Sequence, residues 1–476
     1  MRTTITLAIC ILSIWQSAES KSPTDLEARI DGLFANIVGG RSPGFAVLVS
    51  ENGRVIVQKG YGFADVDTRR RISPETKFRI GSITKQFTSV AILKLQEQGR
   101  LSLDDHLSKF IPDYPRGEEV SLYHLLTHTS GLRDYTTKAD FLENVTRPTT
   151  TQALIESFKQ DGYDSAPGDR YRYNNSGYVL LGYVIERASG MTYGAYLRRT
   201  FFDTLEMRNT GVYRSGHELR NEARGYANEG GSVVPAADWD TSQLGAAGSL
   251  YSTVSDLNRW SDALFNGEVL SAASLEQALT IGVLRGDDPR YPLETGYGLG
   301  FEIADLNGLR QVGHGGELVG FGGYLLHVPE GSITVVVLHN CLPQLPGGHQ
   351  WNLARDIARL AIGDSLPPGG KPQIDRTLSL GAFKAIAGRY DMGDGMMLTI
   401  AREGTRVFAD IPGRTQVEIF PRSERTFFAG DGEAEATFVR AGDGKVIKAI
   451  LQQAGGRIDA WKVNDVPRRL QQVPQS

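Results

Sequence analysis

The chain has 476 residues, with 51 lysines and arginines against 55 aspartates and glutamates and a formal net charge of −4. That balance argues against nucleic acid as a partner, because a domain that neutralises phosphates is usually basic. The length suits one large domain and a small one.

Arg2, the apolar run Ile5–Trp15 and the small residues around Ala18-Glu19-Ser20 read as a signal peptide over residues 1–20, too short to span a membrane. Its cleavage would remove Arg2 and Glu19 together and leave the net charge unchanged. It would also remove Cys10, so that Cys341 remains without an intramolecular disulfide partner and stability has to come from the core. No later stretch reaches about 18 uninterrupted apolar residues, so no transmembrane segment is expected. The expected location is secreted or periplasmic.

Phe45–Ser50 and Arg54–Gln58 flank Asn52-Gly53 and predict a β-hairpin. A long, mostly apolar helix is expected from Ile83 to about Gln98, and an apolar surface on most sides marks a buried helix. Between Leu101 and Met207 the pattern is helical with loops: Ser121 can cap Leu122–Leu126, and Tyr178–Ala188 ends at Gly190, a C′ glycine. A further helix is expected at Leu250–Phe265. Short strands follow at Gly298–Ile303 and Leu309–Val312, then a hairpin Tyr324–Val328 and Ile333–His339 about Pro329-Glu330-Gly331, then a helix Trp351–Ile362. Strands early and late with helices between them predict an α+β domain over residues 21–363, a mainly antiparallel sheet flanked by helices with a separate all-helical region. The Pro- and Gly-rich stretch around Pro367-Pro368-Gly369-Gly370 reads as a linker, residues 364–380. Seven short strand-like runs then follow, at Met397–Ala401, Arg406–Ile411, Thr415–Phe420, Arg425–Ala429, Glu435–Arg440, Val446–Gln452 and Ile458–Val463. They predict a small antiparallel β-barrel or sandwich, lipocalin-like, over residues 381–476.

Three motifs carry chemistry. Ser82-Ile83-Thr84-Lys85 places a hydroxyl and an amine one turn apart on the same helix face. A lysine kept neutral by burial can take the serine proton. Tyr173-Asn174-Asn175 offers a phenol to shuttle a proton and an amide to hold a carbonyl. In Gly313-His314-Gly315-Gly316-Glu317, the glycines let substrate run beside an edge strand and a backbone N–H can complete an oxyanion hole. His124 and His128 have metal-like i, i+4 spacing but no HExxH glutamate and are taken as structural; no metal and no cofactor are expected. Gly40-Arg41-Ser42-Pro43-Gly44 matches Gly-x-Ser-x-Gly, but it precedes the strand-like run Phe45–Ser50 and does not join a strand to a helix, so it is not read as an α/β-hydrolase elbow.

With these motifs in this order, the chain resembles the serine β-lactamase/penicillin-binding-protein superfamily, in its class C and DD-peptidase-like branch, over about Asp31 to Gly363. Leu125–Leu132, Gly177–Gly182 and Ala246–Ser252 resemble the family's text as well, and related members often carry a C-terminal β-barrel. The resemblance implies that Ser82 is the acylated nucleophile, that Lys85 and Tyr173 form its proton-transfer pair, that Asn175 orients the substrate amide, and that the N–H groups of Ser82 and Glu317, beside Gly316, hold the oxyanion. His314 stands where penicillin-recognising relatives usually have the lysine of Lys-Thr-Gly. A histidine is mostly neutral near pH 7, so the pattern points to the family's D-amino-acid peptidases and esterases more than to β-lactam hydrolysis. Histidine as general base of a Ser-His pair is the rival role for this residue. The expected protein is thus an exported serine hydrolase acting on a small-molecule or peptide substrate, with homo-oligomer formation open. The alternatives are a non-catalytic peptidoglycan- or ligand-binding member of the same fold, or a true β-lactamase.

Overall fold

The computed structural model describes residues 23–216, 219–284, 296–363, 385–392, 397–403, 406–410, 417–421, 426–429, 434–441, 445–453 and 456–463. The expected signal peptide and linker lie outside the described residues.

Asn52 and Gly53 both take positive φ, 49° and 74°, and turn Phe45–Glu51 back onto Arg54–Tyr61. This hairpin is one edge of an eight-stranded sheet in the order Val283–Leu284, Gly296–Tyr297, Glu302–Leu306, Leu309–Leu318, Phe321–Val328, Ile333–His339, Phe45–Glu51, Arg54–Tyr61. Every neighbouring pair is antiparallel. Side chains alternate between faces along a strand, and here both faces are covered, which is why Phe45–Val49 is apolar without a break. Phe45, Val47, Val49, Tyr324, Val335 and Val337 pack with Leu26, Ile30 and Phe34 of the helix Pro23–Ala35 and with Leu353 and Ile357 of the helix Gln350–Ile362. Ala46, Leu48, Val312, Leu325, Val336 and Leu338 belong to the larger core on the other face.

That larger core is built around the helix Thr84–Glu97, in which 11 of 14 residues are buried. Phe87 stacks on Trp260 at 4.1 Å, and the indole N–H of Trp260 donates to Gln86. A helix held on every side keeps its first turn in place, and Ser82 lies in the 3₁₀ turn Gly81–Ile83 that leads into it.

Several expectations need correction. Leu250–Phe265 is not one helix. Leu250–Ser252 is the middle strand of a small sheet, between Phe78–Arg79 and Gly211–Val212, and the helix begins at Val254 with Thr253 as N-cap. The expected strand Gly298–Ile303 is broken by Gly300 (φ 82°) into Gly296–Tyr297 and Glu302–Leu306. The strand beginning at Leu309 runs on to Leu318 and carries the whole His314 motif. After residue 384 the described strands form a closed barrel of eight rather than seven. The added strand, Gly388–Asp391, closes the ring by pairing with both Met397–Glu403 and Gly456–Lys462. Tyr390, Leu398, Ile400, Val407, Phe427 and Phe438 are in its core.

Two histidines in the large sheet make stability depend on pH. Burial pushes His327 and His339 from the ordinary 6.5 down to about 4. His327 stacks on Phe265 at 3.7 Å, and His339 Nε2 meets Gln350 Oε1 at 3.1 Å. The unfolded chain takes up these protons near pH 6.5, whereas the folded chain resists until about pH 4. Their contribution is therefore complete above about pH 6.5 and is lost as pH falls toward 4, on the order of 3 kcal/mol each at the limit. Urea unfolding at pH 7 and pH 5 should show a lower midpoint at pH 5; an equal or higher midpoint would remove these histidines as the cause.

Candidate active site

The serine turn is placed by two reciprocal glycines. Gly81 has φ 50°, and a Cβ there would lie 2.7–2.8 Å from the backbone O and N of Glu317. A Cβ on Gly316 would lie 1.9 Å from the carbonyl oxygen of Ile80. Neither position tolerates a side chain, so the turn and the strand Leu309–Leu318 meet backbone to backbone, with Ser82 on one side of the contact and Glu317 on the other.

Lys85 is fully buried, yet its amine is well satisfied: Nζ lies 3.0 Å from Ser82 Oγ, 2.9 Å from Asn175 Oδ1 and 2.9 Å from the Ala247 carbonyl. Burying an unpaired ammonium would cost several kcal/mol, and three acceptors offset this. The same geometry suits the neutral amine, which donates to the two carbonyl oxygens and turns its lone pair to the Ser82 hydroxyl. A group that fits both protonation states is suited to accept a proton. The rings of Tyr173 and Tyr178 flank the amine, at 4.8 and 5.3 Å from Nζ.

The Tyr173 segment is fastened to the loop after the helix Leu122–Leu126. Asn174 caps the helix Asn175–Ser189 by accepting from Gly177 N, and its amide donates to Leu132 O. His128, itself at φ 59°, accepts from Asn174 N through Nδ1 at 3.0 Å, and its ring lies 4.4 Å from that of Tyr173. His124 completes a capping box with Ser121. Both histidines are thus structural, and among the described residues no three or more His, Cys, Asp or Glu side chains are grouped as metal ligands would be.

His314 is only 1% exposed. Its Nδ1 lies 2.6 Å from the Gly315 carbonyl, which can only accept, so Nδ1 carries the proton. In the neutral ring Nε2 is then the acceptor for the Tyr297 hydroxyl, 2.9 Å away. Both ring nitrogens are engaged inside the protein. Gly316 is buried, and Glu317 is exposed with its carboxylate accepting from Gln350 Nε2 at 2.8 Å. Sequence reasoning did not single out Ala247 as a lysine acceptor or Tyr297 as the histidine's partner. A backbone carbonyl leaves no mark in a sequence, and Tyr297 sits in a two-residue strand, too short to leave a period in the sequence. Burial pushes the Cys341 thiol up to about 11, which keeps it a thiol at neutral pH.

A cleft of about 750 Å³ is lined by Arg79, Glu222, Arg224, Asp238, Val319 and Phe321, and none of Ser82, Lys85, Tyr173, Asn175 or His314 is in its wall. Arg79 stacks on Tyr213 at 3.9 Å and pairs with Glu222 and Asp238.

An antiparallel sheet and a helical region meeting at a Ser-x-x-Lys turn define a serine hydrolase of the kind that includes β-lactamases and penicillin-binding proteins. The chain belongs to the beta-lactamase family, whose model matches residues 30–410. It is 26% identical over 432 residues to penicillin-binding protein 4* of Bacillus subtilis (strain 168), covering 87% of this chain and 94% of the relative. The octameric penicillin-binding protein homologue from Pyrococcus abyssi is similar over 92% of this chain and 99% of its own, with 28% identity and a TM-score of 0.64. A D-stereospecific amidohydrolase from Streptomyces sp. is similar over 67% of this chain and 94% of its own, with 27% identity and a TM-score of 0.56.

Proposed function

We propose that the protein is an exported hydrolase that forms an acyl-enzyme on Ser82 and cleaves an amide or ester, most readily in a D-amino-acid-containing peptide or a small ester. The observation that carries this reading is the buried Lys85 amine 3.0 Å from Ser82 Oγ, backed by two carbonyl acceptors. As Oγ attacks the substrate carbonyl, its proton passes to Lys85 and the amine becomes an ammonium that the three acceptors satisfy. The N–H groups of Ser82 and Glu317, on the two sides of the Gly81–Gly316 contact, hold the developing oxyanion. Lys85 and Tyr173 return the proton to the leaving amine or alcohol, and water then releases the acyl group.

The D-stereospecific neighbour supports the substrate class. Because both nitrogens of His314 are engaged by Gly315 and Tyr297, the general-base role goes to Lys85, and His314 shapes the strand beside the substrate. Export rests on the N-terminal sequence, and the octameric homologue motivates a test of assembly in solution.

An active-site-directed fluorophosphonate followed by peptide mass mapping should place one adduct on Ser82. A panel of D-aminoacyl anilides, p-nitrophenyl esters and nitrocefin should show turnover of the first two groups above the third. Equal labelling of a Ser82→Ala variant would sink the assignment, and nitrocefin as the best substrate would replace the proposed substrate class with β-lactams.

A further inference from the structure

Asp134 lies at the start of the 3₁₀ turn Tyr135–Thr137 and is 8% exposed. Its Oδ1 accepts from Thr136 N at 3.0 Å and from Thr136 Oγ1 at 2.8 Å. Its Oδ2 accepts from Asn175 N at 3.1 Å and from Asn175 Nδ2 at 3.0 Å. A carboxylate can only accept, so it can face Asn175 only through that residue's NH₂. Thr136 Oγ1 gives its own proton to Asp134 and receives the second amide proton of Asn175, at 3.3 Å. Both N–H bonds of the amide are thereby used, and the oxygen is left pointing at Lys85 Nζ, 2.9 Å away.

We propose that Asp134 is a positioning residue of the reaction centre, locking Asn175 in the amide orientation that presents oxygen to Lys85 and placing a negative charge behind the lysine. The proposal rests on the reading that Lys85 takes the Ser82 proton. Asp134 then acts at the moment of transfer: the new ammonium finds an oxygen already aimed at it, and the carboxylate one residue further on favours the positive charge. The groups that face Lys85 include Ser82 on its own turn, the Ala247 carbonyl, Tyr173 from the preceding loop, Tyr178 from the helix Asn175–Ser189 and Asp134 through Asn175. The His314 ring lies 6.3 Å beyond that of Tyr173. Glu302 lies beyond that ring, 3.9 Å from His314 Nδ1, and Asp134 is the carboxylate joined to Lys85 through Asn175.

An Asp134→Asn variant puts an amide NH₂ against the Asn175 or the Thr136 donors, whichever way it turns. The rate of Ser82 acylation by an activated D-aminoacyl ester should fall about 10- to 100-fold, the range carried by one hydrogen bond to a charged group. KM should change less than kcat. With the carboxylate gone the ammonium is less favoured, so the acid limb of kcat/KM that belongs to Lys85 should move to lower pH. The double variant Asp134→Asn/Asn175→Asp reverses the side-chain pair: the introduced amide donates to a carboxylate that still offers oxygen to Lys85, and the backbone N–H of residue 175 is the donor left facing an NH₂. It should recover at least about tenfold over the single variant. A wild-type protein that never acylates at Ser82 overturns the parent reading. Wild-type acylation together with an unchanged rate in Asp134→Asn, or a double variant no better than the single one, overturns this proposal alone. Thermal melting checks that each variant is folded. If Asp134→Asn does not fold, Thr136→Val serves in its place: it removes one acceptor and should slow acylation several-fold, and an unchanged rate there also overturns the proposal.

Discussion

Lys85→Ala and Tyr173→Phe should each lower kcat by about 10²- to 10⁴-fold, the usual value of positioned proton transfer, and the double variant should be little worse than the poorer single one. The two groups lie together, with the Tyr173 ring 4.8 Å from Lys85 Nζ, and the amine sits 3.0 Å from the Ser82 oxygen whose proton must leave. Residues that pass one proton between them act as a unit, and their losses do not multiply. Lys85→Met, which keeps most of the buried volume, should lose as much activity as Lys85→Ala, because the amine and not the stem does the chemistry. Either variant leaves Asn175 Oδ1 and the Ala247 carbonyl without this donor, so a drop in melting temperature is expected alongside. Single-turnover acylation, measured well below the melting temperature, separates the two effects. Multiplying losses in the double variant would mean that the residues act independently and would remove the shared-pair mechanism.

A single methyl group at Gly316 should be almost as damaging. Its Cβ would sit 1.9 Å from the Ile80 carbonyl oxygen and 3.0 Å from Ile83 N, the two atoms whose hydrogen bond, at 3.2 Å, closes the serine turn. Backbone cannot rotate away as a side-chain tip can, so the strand must move off the turn and carry the Glu317 N–H with it. Loss of one oxyanion donor costs about 10²- to 10³-fold in kcat, and forced overpacking costs a further 1–3 kcal/mol or so of stability. Gly316→Ala should therefore fold with a lowered melting temperature and acylate slowly even when fully folded. A variant that acylates at the wild-type rate would show that the Glu317 N–H does not bind the oxyanion.

The sequence by itself determined what local spacing can determine. Ser82 and Lys85 share a face because a helix turns in 3.6 residues. Asn52-Gly53 turns a hairpin because both residues accept positive φ. The unbroken apolar run Phe45–Val49 required a strand covered on both sides, and the serine helix had to be buried because it is apolar nearly all round. Tertiary structure decided whatever depends on partners far along the chain. Leu250–Ser252 reads as the start of a helix, yet pairing with Phe78–Arg79 and Gly211–Val212 makes it a strand, and Gly388–Asp391 becomes one by closing a ring whose other member lies near Trp461. The site divides in the same way. The residue types of Ser82, Lys85, Tyr173, Asn175 and His314 could be read from their motifs. The tautomer of His314 was set by Tyr297 and Gly315, and the orientation of Asn175 by Asp134, 41 residues earlier. A sequence specifies which atoms can donate and accept; which ones face each other depends on the packing that brings distant segments within 3 Å or so of one another.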